Sequence, residues 1–382
     1  WNWDEGSEKF EHQVNIYSNR TYYFITADLG PGKRIQNQAS VTIPATHQVN
    51  AFTDYKFIEE DDLNIVRTGC DWFESPSYEI QTSAEYAFNF PNIIPTEPVQ
   101  LQTRVAARSS TSSNFSYYLN GSELVETVPV QSVSFSTDQY ANTSTRDAEF
   151  NVSAAGFSLE VRYSKPLSAS IGWMDYIAIN ARRQLSFAGS QMSFRDPESV
   201  GPGNVANYQL TNASSNVTVW NITDPLNAMK VEAGLNGSAL EFRLPADSVN
   251  DFIAFNGSSY YSVSFIEKVV NQNLHGLEAP DLVIISYSGF MSQANRLAEH
   301  HRNFDGLEVQ VVDVEKIYNE YSSGAQDVTA IRDFMKMLYD EAPLDEECKY
   351  LILFGDASYD YKDRIDNNSN FVPTWEDKRS MN

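Results

Sequence analysis

The sequence predicts a multidomain chain: antiparallel β-sandwich or jelly-roll-like domains in its N-terminal part, then a truncated parallel α/β sheet. Three observations predict this. Apolar residues alternate at period two through the first part, three Asn-Gly pairs punctuate it, and the texture changes near Pro280. Alternation marks strands with one buried face, and Asn-Gly supplies the positive φ angles of tight hairpins.

In "FSLEVRYS" the rule places Phe157, Leu159, Val161 and Tyr163 on one face. In "IGWMDYIAI" it assigns Ile171, Trp173, Ile177 and Ile179 to one face, interrupted by Asp175. The pairs Asn120-Gly121, Asn236-Gly237 and Asn256-Gly257 lie between strand-like runs, so antiparallel pairing is expected around each. "TYYFITADL" reads as a strand, whereas "FIEEDDLNIVRTG" also fits a short helix. The proline- and glycine-containing stretches 89–100 and 195–204 read as connections. They divide the chain into an N-terminal β-rich domain over 1–90, a jelly-roll-like sandwich over 91–195 and a small β module over 205–275.

Beyond Pro280, "DLVIISYS" is a continuous apolar run, the kind covered on both faces in a parallel sheet. Ala294, Leu297, Ala298 and His301 follow at helical spacing, and "LEVQVVDV" is a second strand. Asp327 is placed to cap a helix whose apolar stripe is Ile331, Phe334, Met335, Leu338 and Tyr339. "KYLILFG" is the third strand. The order β-α-β-α-β over 279–382 predicts a doubly wound sheet. Three strands leave long free edges, so this layer is expected to be half of a larger one.

Composition narrows the function. Among 382 residues, 27 Lys and Arg face 51 Asp and Glu, for a net charge of −24. Such a surface repels polyanions, which argues against nucleic acid as a partner. No stretch reaches the roughly 18–20 continuous apolar residues of a membrane helix. Asn-x-Ser/Thr triplets at Asn114, Asn142, Asn151, Asn212, Asn221 and Asn256 suit an exported surface protein, although an Asn- and Ser-rich chain also produces them by chance.

The third strand discharges into "GDASYDYKDR". Ligands of open α/β sheets gather beyond the carboxyl ends of the strands, which makes Asp356, Ser358 and Asp360 candidates for a substrate-side loop. For Asp356 the competing reading is an ordinary turn in which its carboxylate accepts neighbouring backbone amides. The same three residues match positions 1, 3 and 5 of an EF-hand loop. Tyr361 then stands where the glycine belongs and Asn367 where the bidentate glutamate belongs, so an EF-hand is rejected; only a looser calcium site stays open. No cofactor or zinc spacing is present.

Cys70 and Cys348 are the two cysteines, and a disulfide between them has little support. Cys348 sits beside Asp345, Glu346 and Glu347, whose charges would raise its pKa and make it a poor nucleophile. His275 and the His300-His301 pair have no evident partner, so no Cys-His pair can be assembled from this sequence. Trp173, Trp220, Tyr260 and Tyr261 suggest sugar stacking, but aromatic residues at strand spacing are more often core.

The run "YNEYSSGAQDVTAIRDFMKMLY" together with "LFGDASYD" resembles the gingipain-type cysteine peptidase family, in particular the sortases of the type IX secretion system of Bacteroidetes. The resemblance is continuous over 279–375, patchy over about 60–275, where "GWMDYIAINARRQL" and "VWNITDP" carry it, and faint before that. It implies a caspase-like sheet and a Cys-His endopeptidase at the cell surface, on the outer face of the outer membrane. Its substrates would be secreted cargo proteins bearing a C-terminal sorting domain, and in some members the new carboxyl end is joined to anionic lipopolysaccharide. An outer-membrane β-barrel protein of the same system is the implied partner. In the family the catalytic Cys and His fall in later strands, so both are expected beyond residue 382. A non-catalytic surface scaffold and a carbohydrate-binding sandwich are the alternative readings.

Overall fold

The computed structural model describes residues 1–27, 29–134 and 139–376. The chain forms two compact units. The first comprises Trp1–Gln13, Pro31–Asp61 and Phe73–Ser264; the second comprises Val14–Gly30, Asp62–Trp72 and Phe265–Asn382.

The first unit is built from two pairs of sheets and a two-stranded hairpin, Asn2–Asp4 with Lys9–Glu11. In the first pair, strands Ala51–Glu59, Val99–Arg108, Asn142–Phe150 and Ile171–Gln184 make one antiparallel sheet. Strands Ser83–Asn89, Ser113–Leu119, Glu123–Val130 and Gly156–Ser164 make the other. Val99, Leu101 and Val105 of one share a core with Phe115, Tyr117, Leu159 and Val161 of the other, the arrangement of a β-sandwich. The expected alternation of Phe157, Leu159, Val161 and Tyr163 is met, since all four are buried. Asn120-Gly121, both at positive φ, join Ser113–Leu119 to Glu123–Val130 as a hairpin.

Ile171–Gln184 departs from simple alternation. Met174 pairs with Val105 and Tyr176 with Arg104, leaving Asp175 as the extra residue of a β-bulge. The bulge exchanges the faces, so Met174, Ile177 and Ile179 join the sandwich core and Trp173 does not. Asp175 itself is buried beside the Arg104 guanidinium, and burial pushes its carboxyl up to about 7.

The second pair of sheets has its own core, with Phe194, Tyr208, Phe242 and Phe252 at its centre. One sheet holds Gln36–Gln38, Gln191–Phe194, Thr218–Asn221, Met229–Val231 and Phe252–Phe255. The other holds His47–Val49, Val205–Leu210, Gly234–Asn236 and Ala239–Pro245.

Sheet pairing overrides the divisions expected at residues 90 and 205. Ala51–Glu59 and Ser83–Asn89 belong to the first sandwich, while Gln36–Gln38 and His47–Val49 pair in parallel with strands near 230 and 207 of the second. These partners lie more than a hundred residues apart, and local texture carries no trace of such pairing. The alternative helix over 57–69 does not form: Phe57–Glu59 complete a strand and no helix follows. Asn256-Gly257 follows the last strand of the unit without making a hairpin. Tyr260 and Tyr261 are exposed, not core, whereas Trp173 is buried and Trp220 packs on Phe255 at 5.1 Å.

The second unit contains the expected parallel sheet. Leu282–Ser286 is central, flanked by Val309–Asp313 and Tyr350–Phe354, both parallel to it. Helix α1, Met291–Phe304, covers one face through Ala294 and Ala298, against Leu282 and Ile284. Helices α2, Val314–Tyr321, and α3, Val328–Glu341, cover the other, where Ile317, Ile331, Phe334 and Leu338 meet Val283 and Ile285. Alternate residues of one strand thus feed two cores, the reason for its unbroken apolar run. Asp327 caps α3 by accepting the Thr329 amide at 2.8 Å. Tyr339 leaves the expected stripe and is exposed, and α2, which the sequence reading did not assign, is capped by Asp313.

Candidate functional site

Strand Tyr350–Phe354 ends at Gly355, where a side chain would collide with Val372 Cγ2 at 2.8 Å. Glycine therefore lets the chain returning from the loop pass directly over the strand end. That return is fixed by the Asp356 carbonyl, which accepts the amides of Phe371 and Val372 at 2.9 and 3.1 Å. The Asp356 carboxylate remains at the surface, held by the Ala357 amide at 3.1 Å and the Ser369 hydroxyl at 2.9 Å.

Phe371 then packs against Tyr287 and Phe290, with ring centres 4.9 and 5.1 Å away. Both belong to the turn between the central strand and α1. The result is an open recess of about 480 Å³ lined by Phe290, Gln293, Phe354, Gly355 and Asp356. It lies beyond the carboxyl ends of two adjacent parallel strands, where ligands of this architecture collect. Two aromatic walls with one carboxylate and one amide at the rim can seat a side chain by its apolar surface and orient it by hydrogen bonds.

The three candidate carboxyl and hydroxyl groups separate on inspection. Asp356 faces the recess. Asp360 is fully buried, and its oxygens accept the amides of Lys362, Arg364 and Ile365. Ser358 supports it, with its hydroxyl accepting the Asp360 amide at 3.1 Å. Asp360 and Ser358 therefore shape the loop, while the Asp356 carboxylate both faces the recess and accepts the adjacent Ala357 amide. Among the described residues no group of three or more His, Cys, Asp or Glu is arranged to hold a metal ion. Phe290, Gln293 and Phe371 escaped the sequence reading; a signal was available only for Phe290, in the turn "YSGF" at the end of the first parallel strand.

The thiols and imidazoles are all otherwise engaged. The Cys348 thiol faces the Tyr350 carbonyl at 3.4 Å, at the amino end of its strand and away from Asp356. Its pKa is raised, first by burial and then by Asp281, so the anion responsible is not one of its acidic sequence neighbours. Cys70 donates to the Glu376 carbonyl at 3.2 Å. His275, expected to lack a partner, has Glu320 at 2.7 Å and stacks on Tyr321. His12 meets Glu59, His47 meets Thr46, His301 meets Asp305, and His300 stacks on Phe304.

Residues 275–381 match the model of Peptidase family C25. The C25 region therefore coincides with the parallel sheet, its helices and the recess, while the β-sandwiches lie outside it. In fold, the chain is similar to the crystal structure of dimeric latent PorU from Porphyromonas gingivalis. The TM-score is 0.85 at 24% identity, over 98% of this chain and 37% of the PorU chain. The present chain thus spans 37% of that protein's length. The insecticidal delta-endotoxin Cry8Ea1 from Bacillus thuringiensis aligns at a TM-score of 0.22, with 16% identity over 28% of this chain and 19% of that one. A CBM36-1 domain of a multidomain xylanase from the hindgut metagenome of Trinervitermes trinervoides aligns at 0.23, with 11% identity over 33% of this chain and 96% of that one. Neither likeness is close enough to bear on the fold or the function. Among curated proteins none matches the sequence. No helix among the described residues is long and apolar enough to cross a membrane.

Proposed function

We propose that this chain is part of a cysteine-type endopeptidase with sortase activity, acting at the cell surface in type IX secretion. One observation carries the reading: the C25 match falls on a parallel sheet whose strand ends open onto a built recess. The PorU-like fold of the whole chain supports the same assignment. The substrates are secreted proteins with a C-terminal sorting domain. Removal of that domain proceeds through a thioester, which water or an amine of anionic lipopolysaccharide then captures. An outer-membrane β-barrel protein delivers the cargo.

The reading takes the reacting thiol and imidazole from residues outside 1–382. Leu351 and Leu353, each 42% exposed on the edge strand, leave an apolar stretch of sheet face that the crossover helix of an additional strand would cover. The recess beside Asp356 then holds a part of the cargo segment next to the reacting bond.

The test uses the full-length protein and a cargo carrying its sorting domain. Cleavage should be abolished by iodoacetamide and by replacing a single cysteine outside residues 1–382. Cleavage that survives replacement of every such cysteine would overturn the assignment.

A further inference from the structure

The loop that follows strand Tyr350–Phe354 runs through residues 355–376 without a helix or strand of its own. Loops of this length in a packed domain need support from elsewhere or lose a single conformation. Here part of the support comes from a segment nearly 300 residues earlier in sequence. Asp62–Trp72 leaves the strands of the first unit in sequence and packs within the second.

The segment is itself preorganised. The Asn64 side chain accepts the amides of Val66 and Thr68, both at 3.2 Å, and donates back to the Thr68 carbonyl. This presents Gly69, Cys70 and Trp72 to the loop. The Gly69 amide donates to the Glu376 carboxylate at 2.8 Å, and the Cys70 thiol to the Glu376 carbonyl. A side chain at 69 would collide with the Tyr361 ring, so glycine is what allows the contact. Trp72, 5% exposed, stacks on Tyr359 and carries the Arg364 guanidinium 4.1 Å from its ring centre.

These contacts fall on both arms of the loop: Tyr359, Tyr361 and Arg364 on the outgoing arm, Glu376 on the returning one. Between them lie Phe371 and Val372, whose amides hold the Asp356 carbonyl beside the recess. A second early segment reinforces the same place. Tyr17 packs on Tyr361 at 4.7 Å, and Gln326, just before α3, joins the two by donating to the carbonyls of Tyr17 at 3.3 Å and Tyr361 at 2.8 Å.

We propose that Asp62–Trp72 is an intramolecular brace for the ligand-side loop, and that Gly69 and Trp72 are positioning residues for the recess beside Asp356. The inference rests on reading that recess as the substrate side of the peptidase, but its physical content, the coupling of the loop to the segment, stands apart from activity. The brace holds both arms of the loop, and local opening of the loop is governed by its contacts.

Hydrogen exchange on the full-length protein tests this with Trp72→Ala and Trp72→Phe. In Trp72→Ala the amides of residues 359–376 should exchange at least about tenfold faster, while those of strand Leu282–Ser286 keep their protection. Trp72→Phe, which retains an aromatic face for Tyr359 and Arg364, should restore most of the protection. Where cargo cleavage is measurable, Trp72→Ala should raise KM by more than it lowers kcat, since the lost contact positions substrate before reaction. Exchange over 359–376 that is unchanged, or that rises no more than in Leu282–Ser286, would overturn the brace. Absence of thiol-dependent cleavage would instead count against the peptidase assignment and leave the exchange result to decide the brace.

Discussion

The buried carboxylate of Asp360 accepts the backbone amide of Ile365 at 2.7 Å. That relationship, repeated to the amides of Lys362 and Arg364, turns an acidic loop inward and makes one of its acids a structural anchor.

Asp360→Ala should therefore destabilise the α/β unit by about 2–4 kcal/mol, because several amides lose their acceptor in a buried setting. Urea unfolding followed by the signal of that unit measures it. Calcium binding that is present in the wild type and lost in Asp360→Ala would assign the carboxylate to a metal instead.

Asp175 should make the first unit's stability depend on pH. Burial raises its carboxyl to about 7 although Arg104 lies alongside. An unfolded aspartate titrates near ~3.9, so between about pH 4 and 7 the folded state holds a proton that the unfolded chain has released. The resulting stabilisation is complete below the unfolded value and is lost as pH rises through about 7. Relative to wild type, Asp175→Asn should show a shallower loss of stability across that window in unfolding titrations. An unchanged slope would mean that Arg104 keeps the carboxylate ionised.

The Cys348 thiol should react slowly. Its pKa is raised by burial and by Asp281, so little thiolate forms at neutral pH. Alkylation by iodoacetamide near neutral pH should run at least about fivefold slower than for free cysteine. Cys348→Ala should leave cargo cleavage by the full-length protein intact. Loss of cleavage in that variant, with the fold retained, would make this thiol the nucleophile.

Removing the cap of α3 should have a modest, local effect. Asp327 accepts both the amide and the hydroxyl of Thr329 at 2.8 Å. Asp327→Ala should lower stability by about 1 kcal/mol, and Asp327→Asn by much less, since asparagine caps nearly as well. Thermal unfolding of the two variants side by side would show the difference.

The recess was only partly legible in the sequence. Gly355-Asp356 at the end of an apolar strand pointed to the right end of the sheet. Nothing local told Asp356, which stays at the surface, from Asp360, which is buried four residues later. The difference lies in which amides fold back onto each carboxylate, and that is set by the path of the whole loop. The face exchange in Ile171–Gln184 was hidden for a related reason. A single extra residue at Asp175 inverts the alternation, and only the partner strand reveals it.

The sequence by itself determined the strands at 157–163 and 171–179, the break near Pro280, the parallel sheet with its two apolar faces, the Asp327 cap, and the hairpins at Asn120-Gly121 and Asn236-Gly237, but not α2, nor the absence of a strand over 21–27. Each feature it determined follows from interactions within a few residues, where periodicity and turn chemistry act. Tertiary structure alone decided that strands near residues 36 and 47 belong with strands near 230 and 207, and that residues 62–72 pack against a loop beyond 355. Such choices depend on burying surfaces far apart in the chain, and no local pattern encodes which distant surface will complete them.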